Sequence, residues 1–398
     1  MAKTAIISVD GHVKASRAGY RDYIQKSFLD AYDESVKAAE EAGLPDSGNL
    51  NPDYGFNAQW DSRARWETLE GQGVVAEVLF PNGQPFQVNP FEDSGRGPTP
   101  ELEAEGRRAY NRWLVDFCAD SPGRRAGQAL VSFDDIDQAI ADVRWAKEHG
   151  LAGIMMPALR PGGTNFFDPV LDRIWATIED VGLPISQHGG AGLPGYSASG
   201  FAMILTLSIE NGFYSGRSLW QMIAGGVFDR FPRLKVAFVE TQLMFLVPAI
   251  SHLDMTLGMG DDWMAFAQFM RRERSVSKLA SEYIGLNCFV GVSPFDARQL
   301  PIDQLVGKDE DQNPLPGFHI GAGAAMFGVD YPHFESFVPR TSEKVASLVG
   351  NPSVTPQDAE NILFRNAAKF YGFDLAVLQP HIDRVGFEID EVLSSSAA

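Results

Sequence analysis

The sequence predicts an α/β protein that folds as a single (β/α)8 TIM barrel, with residues 1–398 forming one domain. Short apolar runs alternate with longer segments of helical periodicity, which is typical of parallel βα units. Eight such runs can be counted, the number that a closed barrel requires. No glycine-rich phosphate-binding turn follows the first run, so a doubly wound open sheet is the less favoured architecture.

The predicted strands are rich in apolar and β-branched residues and have lengths suited to buried strands. They are residues 5–13, 75–81, 125–132, 152–157, 184–188, 235–240, 284–291 and 324–330. Helices are predicted between them. Residues 134–149 begin with acidic side chains that suit the positive end of a helix dipole, and residues 168–181 carry Pro169 in their first turn.

Two segments are longer than simple βα connections, namely residues 14–70 after the first strand and residues 189–226 after the fifth. Loops that follow barrel strands lie on the catalytic face, so we expect both insertions to roof a site there. Surface elaboration or an oligomer contact is the alternative interpretation. The tail at about 393–398 is small and polar and is expected to be mobile.

Charge and cysteine content exclude several classes of function. The formal net charge of −19 would repel phosphate backbones, so nucleic acid is not expected as a partner. The two cysteines, Cys118 and Cys288, have no disulfide or metal-finger spacing and are interpreted as packing residues. No cationic leader or long uncharged apolar span is apparent, so we expect a cytoplasmic protein with no membrane partner.

Histidine and aspartate recur at the predicted strand ends. Asp10 and His12 stand two residues apart on the first strand, so their side chains project to the same face. His188 ends the fifth strand and is followed by two glycines that allow close backbone approach, while Asp330 ends the eighth. A buried, hydrogen-bonded role is the alternative for each alone. A barrel brings these ends around one opening, which predicts a metal site from Asp10, His12, His188 and Asp330.

Several of these segments resemble the amidohydrolase-related family within the metal-dependent hydrolase superfamily. The resemblance is carried by 9-VDGH-12, by His188, by 327-FGVDYPH-333 and by 361-NILFRNAAKFYG-372. It implies similarity to aminocarboxymuconate-semialdehyde, resorcylate and carboxyvanillate decarboxylases, and a mononuclear divalent site with ligands from strands one, five and eight. It also implies a homodimer. Two nitrogens and two carboxylates favour Zn²⁺, with Mn²⁺ or Fe²⁺ as alternatives.

The chain departs from the family pattern at two positions. Lys14 stands where many members have a second strand-one histidine, so Asp10 is expected to substitute as a ligand. On strand six the family histidine is replaced by Glu240, which is predicted to be the general acid/base or an extra ligand, or else to orient a metal-bound histidine. Asp330 can serve as a base, and His333 is expected to contact substrate or donate a proton, unless it is a solvated loop residue.

A small carboxylated substrate is expected, with Arg160, Arg63, Arg65 and Asn82 as candidate binding residues, although the arginines could equally be surface ion-pair partners. The first functional hypothesis is a lyase that decarboxylates an aromatic or unsaturated acid. The second is a hydrolase of an amide, ester, lactone or cyclic imide that uses metal-activated water. The third is a barrel that binds metal or ligand without catalysis.

Overall fold

The structure is a computed structural model, and it describes residues 3–46, 53, 56–86, 99–156, 164–190, 200–258, 276–294 and 296–388. The predicted tail and Arg160 lie outside these residues. Within them the strands are β1 Ile6–Ser8, β2 His12–Val13, β3 Val74–Pro81, β4 Arg125–Leu130, β5 Gly153–Met155, β6 Ile185–His188, β7 Val236–Val239, β8 Cys288–Val292 and β9 Ala325–Phe327.

All the strand pairings are parallel, and each strand neighbours the next from β3 to β9, while β1 and β2 both pair with β3. Backbone hydrogen bonds join the first and last strands, from Val9 N to Phe327 O at 3.0 Å and from Asp330 N to Asp10 O at 2.9 Å. The sheet is therefore nearly closed, and the predicted barrel is confirmed. Each of the eight predicted runs overlaps an observed strand.

Helices surround the sheet, as the alternation predicts. They are α1 Leu29–Glu41, α2 Ser62–Glu70, α3 Pro100–Ala119, α4 Ile136–Glu148, α5 Asp172–Val181, α6 Phe201–Ala224, α7 Val227–Arg230, α8 Leu243–Leu257, α9 Asp296–Gln299, α10 Ile302–Val306, α11 Thr341–Val349, α12 Pro356–Glu360, α13 Asn366–Tyr371 and α14 Leu375–Val385. No helix in the described ranges is both long enough and apolar enough to cross a bilayer.

The helix boundaries follow from side-chain capping. α4 begins later than the predicted residue 134, because the side chain of Asp135 accepts a hydrogen bond from Gln138 N and so caps the helix. The predicted helix 168–181 begins as the 3-10 turn Pro169–Leu171, capped by Asp168, before α5 continues it. The predicted start positions are therefore correct to within one turn.

The barrel strands are buried over most of their length, because helices cover their outer face and the packed interior fills their inner face. This burial explains why apolar composition identified them. β9 ends at Phe327, three residues before the predicted end, and β8 begins at Cys288 instead of residue 284. The shorter β9 leaves Asp330 on the connection that follows the barrel edge.

Candidate metal centre

The predicted ligands follow the carboxyl ends of barrel strands. Asp10 lies between β1 and β2, His12 begins β2, and His188 ends β6. Glu240 comes directly after β7. Asp10, His12, His188 and Glu240 are buried and form a group whose ligand atoms all lie within 4.8 Å of one another. The strand-end residues that the sequence singles out are thus brought to one place.

Asp330 adjoins this group through His12. Its Oδ1 lies 3.4 Å from His12 Nε2 and 2.8 Å from His333 Nδ1. Asp330 also belongs to a group with His12 and His333 and to another with Glu240 and Glu335, each within 4.8 Å. The centre is therefore a set of overlapping groups, two of which combine carboxylates with imidazoles and one of which contains carboxylates alone.

The potential ligand atoms of the centre lie very close to one another. Asp10 Oδ1 lies 3.2 Å from both His12 Nε2 and His188 Nε2, and His188 Nε2 lies 3.7 Å from Glu240 Oε2. Within the described part of the chain, no hydrogen bond reaches His12 Nε2 or either carboxylate oxygen of Asp330. His188 Nε2 and Asp10 Oδ1 form a hydrogen bond, but the buried atoms of His12 and Asp330 have no such partner and converge like ligands around a shared cation, so the donor set fits a divalent metal.

The backbone at two of these positions is unusual. Glu240 has a φ of 56° and Asp330 a φ of 58°, both in the left-handed region that most side chains avoid. Such conformations persist only where the surrounding structure enforces them, and they cluster at functional sites. Gly189 makes this possible beside Glu240, because a Cβ at Gly189 would lie 2.3 Å from the Glu240 carbonyl oxygen.

Opposite charges set the pKa values of Asp10 and His188. Burial would raise the pKa of Asp10, but contacts with His12 and His188 hold it well below its ordinary value. Burial would lower the pKa of His188, but the interaction with Asp10 raises it to about 9. A metal that binds His188 must displace this proton, so we expect metal affinity to increase with pH.

The remaining groups have pKa values shifted towards their neutral forms. Burial and the neighbouring His333 lower the pKa of His12 to about 3, and burial lowers that of His333 to about 4. Burial and the repulsion of Asp330 raise the pKa of Glu240 well above its ordinary value, and burial together with Asp10 does the same for Asp330. Neutral imidazoles are the form that binds metal.

His333 lies in the centre, and its ring stacks on that of His12 with 3.9 Å between centroids, while its predicted contact with substrate stays a prediction. Both polar atoms of the Asn82 side chain have hydrogen-bond partners. Its amide donates to Gln59 Oε1 at 2.7 Å, and its Oδ1 lies 3.2 Å from His333 Nε2. Asn82 therefore orients His333, while the substrate contact predicted for Asn82 stays a prediction.

The two described arginines both form ion pairs within the protein, and their role in substrate binding stays a prediction. Arg65 is fully buried and pairs with Glu77 at 2.7 Å, and its guanidinium also donates to backbone carbonyls including that of His12. Arg63 points into solvent and pairs with Glu67 one turn along α2. Burial of Arg65 could not be recognised from sequence, because both arginines occupy the same polar segment.

Sequence reasoning missed two residues of the centre. The Ser293 hydroxyl, buried just after β8, donates to Asp10 Oδ2 and leaves Oδ1 facing the two histidines. Glu335 lies two residues beyond His333 and groups with Glu240 and Asp330. The position of Ser293 directly after an apolar run was the available signal. Nothing in its residue type distinguishes it from an ordinary loop serine.

Residues 93–277 match the model of the amidohydrolase family. An amidohydrolase from Mycobacterium avium subsp. paratuberculosis is similar in structure, with a TM-score of 0.65 and 16% identity over 94% of this chain and 100% of that one. 5-Carboxyvanillate decarboxylase from Sphingomonas paucimobilis follows with a TM-score of 0.59 and 15% identity, over 93% and 100% of the two chains.

A dihydroxybenzoic acid decarboxylase from Polaromonas sp., with bound manganese and the inhibitor 2-nitroresorcinol, has a TM-score of 0.57 and 16% identity, over 93% of this chain and 97% of that one. At these identities the structural likeness concerns the fold. Together, the family match and the barrel confirm that this chain resembles the amidohydrolase-related family, as its sequence motifs predict.

Proposed function

We propose that this protein is a divalent-metal-dependent enzyme of the amidohydrolase superfamily that releases carbon dioxide from a carboxylated aromatic or unsaturated acid. The observation that carries the proposal is the buried group of Asp10, His12, His188 and Glu240 at the carboxyl ends of the strands. Barrel enzymes hold their active sites at this end. The decarboxylases among the similar structures support the choice of a lyase.

We assign Asp10, His12, His188 and Asp330 as the residues that hold the cation. Zn²⁺ is favoured by the two imidazoles, and the manganese in the dihydroxybenzoic acid decarboxylase supports Mn²⁺ as the alternative. When bound, the ion would chelate the substrate carboxylate and an adjacent oxygen. Ser293 would keep one oxygen of Asp10 turned towards the cation by occupying the other.

Glu240 is the preferred proton donor, since no described hydrogen bond holds its carboxyl group and it borders His188 at 3.7 Å. In decarboxylation the bond between the carboxyl carbon and the substrate breaks, and its electron pair takes a proton at the carbon left behind. His333 was the other candidate for this role. Its Nε2 faces Asn82 Oδ1, so that proton is already engaged.

A metal-dependent hydrolase of an amide, ester, lactone or cyclic imide is the second candidate, with Asp330 as the base. Both oxygens of Asp330 are without a hydrogen bond in the described ranges, which favours a role for this carboxylate towards a ligand. The two reactions differ in what leaves the active site. A lyase releases carbon dioxide, while a hydrolase incorporates water into its product.

Metal content tests the part that both candidates share. We expect protein purified without added metal to carry about one equivalent of Zn or Mn by plasma mass spectrometry, and His188→Ala to lose it. His149→Ala is the matched control, because His149 is an exposed histidine stacked on Trp145. Retention of the metal by His188→Ala would overturn the assigned ligand set.

Carbon dioxide release then separates the candidates. Dihydroxybenzoates and carboxyvanillate are suitable first substrates, with a panel of esters, lactones and cyclic imides in parallel. Carbon dioxide from any of the acids, absent in His188→Ala, would support the lyase. Turnover confined to the second panel, with incorporation of ¹⁸O from labelled water, would replace it with the hydrolase.

A further inference from the structure

We propose that His333 binds the divalent cation directly through Nδ1, alongside His12 and Asp330. The inference rests on the proposed metal-dependent function and adds to its ligand set a residue from the connection after β9. Ligand atoms of His12, Asp330 and His333 lie within 4.8 Å of one another, and all three residues are buried. The shared neighbour is Asp330 Oδ1, at 2.8 Å from His333 Nδ1 and 3.4 Å from His12 Nε2.

In each of the three histidines of the centre, the ring nitrogen that faces away from the other ligand atoms contacts an oxygen atom. His12 Nδ1 contacts Pro81 O at 3.4 Å, His188 Nδ1 contacts Gly189 O at 2.9 Å, and His333 Nε2 contacts Asn82 Oδ1 at 3.2 Å. A metal-bound histidine usually donates its other ring N–H to an oxygen in this way, which fixes the tautomer and the ring orientation.

Asn82 fixes the tautomer of His333. The Asn82 amide nitrogen donates to Gln59 Oε1 at 2.7 Å, so the atom that faces His333 is the carbonyl oxygen. This oxygen can only accept, and the hydrogen-bond network therefore places the ring proton on Nε2. In the neutral ring, Nδ1 then carries a free lone pair on the side of the centre.

The lone pair of His333 Nδ1 has no hydrogen-bond donor among the described residues, although the residue is only 6% exposed. Its close neighbour, Asp330 Oδ1, is an acceptor as well when ionised, and a cation at the centre would favour that form over the protonated carboxyl group. Two acceptors this close are unfavourable unless a proton or a cation lies beside both, and the metal-binding measurements below distinguish these two cases. The same reasoning applies to His12 Nε2, whose ring lies parallel to that of His333.

Two described histidines outside the centre, His319 and His149, lack this arrangement. Both ring nitrogens of His319 contact backbone carbonyls, of Gln304 at 2.8 Å and of Pro316 at 3.1 Å. His149 is exposed, stacks on Trp145 and contacts that residue's carbonyl through Nδ1. Neither of these two rings is a buried ring with an available lone pair, in contrast to the ring of His333.

Replacement of His333 by phenylalanine tests the proposal, because a phenyl ring preserves the stack on His12 and deletes the nitrogen. We expect the Kd for Zn²⁺, measured by competition with a chelating dye, to rise by about 100-fold, since loss of even an outer partner of a ligand costs about 10- to 100-fold. His149→Phe also removes a stacked histidine and should leave the Kd unchanged.

Visible absorption of the Co²⁺-loaded protein gives a readout of coordination that does not depend on turnover. A ligand role predicts a changed d–d spectrum in His333→Phe and an unchanged one in His149→Phe. Should His333→Phe fail to fold by circular dichroism, Asn82→Leu provides the second variant. It retains the imidazole but removes the acceptor that orients it, and should raise the Kd by about 10-fold.

Several results would overturn the proposal. A wild-type Kd and Co²⁺ spectrum in His333→Phe, with loss of turnover alone, would make His333 a substrate contact and would leave the proposed function intact. An unchanged Kd in Asn82→Leu would count against it in the same way. If wild-type protein binds no Zn²⁺, Mn²⁺ or Co²⁺, the proposed function fails together with this inference.

Discussion

Glu240 follows β7 directly, and its backbone has the left-handed φ of 56°. Its carboxyl group lies beside His188 and within the group of candidate ligands. A buried carboxyl group can donate a proton to a substrate carbon and then be protonated again, so the proton-donor role remains our proposal for Glu240.

Glu240→Gln separates a proton donor from a ligand. We expect it to retain the bound metal and to lower kcat by about 100- to 10,000-fold, the usual contribution of a positioned acid. Metal content by plasma mass spectrometry and kcat would be measured on the same preparation. Glu343→Gln, on the exposed face of α11, is the control. Loss of the metal in Glu240→Gln would move Glu240 into the ligand set.

Arg65 connects the segments that carry candidate ligands, through contacts with their backbone. Its guanidinium pairs with Glu77 and donates to the carbonyl oxygens of His12 and Tyr331, so it joins β2, β3 and the connection after β9. Arg125 contributes a second cation to Glu77 at 3.3 Å. A guanidinium suits this position because its planar array of donors reaches several acceptors at once.

Arg65→Met should therefore destabilise the protein strongly, because it leaves Glu77 buried with a weaker partner and removes donors from buried carbonyls. We expect the free energy of unfolding to fall by about 3–5 kcal/mol, measured by urea denaturation. Arg63→Met, on the same helix but in solvent, should leave it unchanged within error. Equal effects of the two substitutions on the free energy of unfolding would contradict the role of Arg65 in joining these segments.

At the scale of secondary-structure elements, the centre depends on how closely the ends of neighbouring strands approach. Gly189 follows β6 and faces the carbonyl oxygen of Glu240 after β7. Its role is to provide space, as the sequence predicted from the glycines after His188. β6 and β7 pair in register up to His188 and Val239, so the close approach comes at the point where both strands end.

Gly189→Ala tests this contact. The new Cβ would lie 2.3 Å from Glu240 O, so the end of β7 must move, and overpacking of this kind costs about 1–3 kcal/mol. We expect a lower Tm by calorimetry and a weaker affinity for Zn²⁺. At Gly323 a Cβ would meet nothing within 4 Å, so Gly323→Ala is the control. Unchanged metal affinity in Gly189→Ala would mean that the strand ends adjust independently.

At the scale of the whole molecule, Asp296 links stability to pH. Burial raises the pKa of Asp296 from the ordinary 3.8 to about 7, against the hydrogen bonds from Leu243 N and Ser293 N. The folded state therefore holds the proton more tightly than the unfolded state. Its contribution to stability is fully present below the unfolded pKa and is lost as the pH rises towards 7.

Asp296→Asn should remove this dependence, because an amide does not ionise. Relative to the variant, wild type should lose up to about 1.4 kcal/mol per pH unit as the pH rises from 5 to 7, measured by urea unfolding at several pH values. Asp311→Asn, at an exposed aspartate, is the control. A constant difference in the free energy of unfolding between wild type and Asp296→Asn across this range would refute the linkage.

The homodimer remains a prediction, which sedimentation velocity can check.

The sequence determined the barrel and most of the centre. Apolar composition identifies buried parallel strands, and the barrel geometry brings their ends together, so Asp10, His12 and His188 could be grouped without coordinates, whereas Asp330 lies in adjoining groups that share His12 or Glu240. Glu240 and His333 were found in the same way, because each lies at or just beyond a strand end. The local pattern and the global fold agree at these positions.

Only the tertiary structure decided the roles that depend on contacts between distant segments. Arg65 and Arg63 lie two residues apart on one helix, yet one is buried against Glu77 and the other is exposed, since the helix presents them to different surroundings. Asn82 orients His333, and Ser293 occupies one oxygen of Asp10, across separations that no sequence period encodes. Chemistry and strand position can be read along a chain, but the partner of each side chain is set by packing in three dimensions.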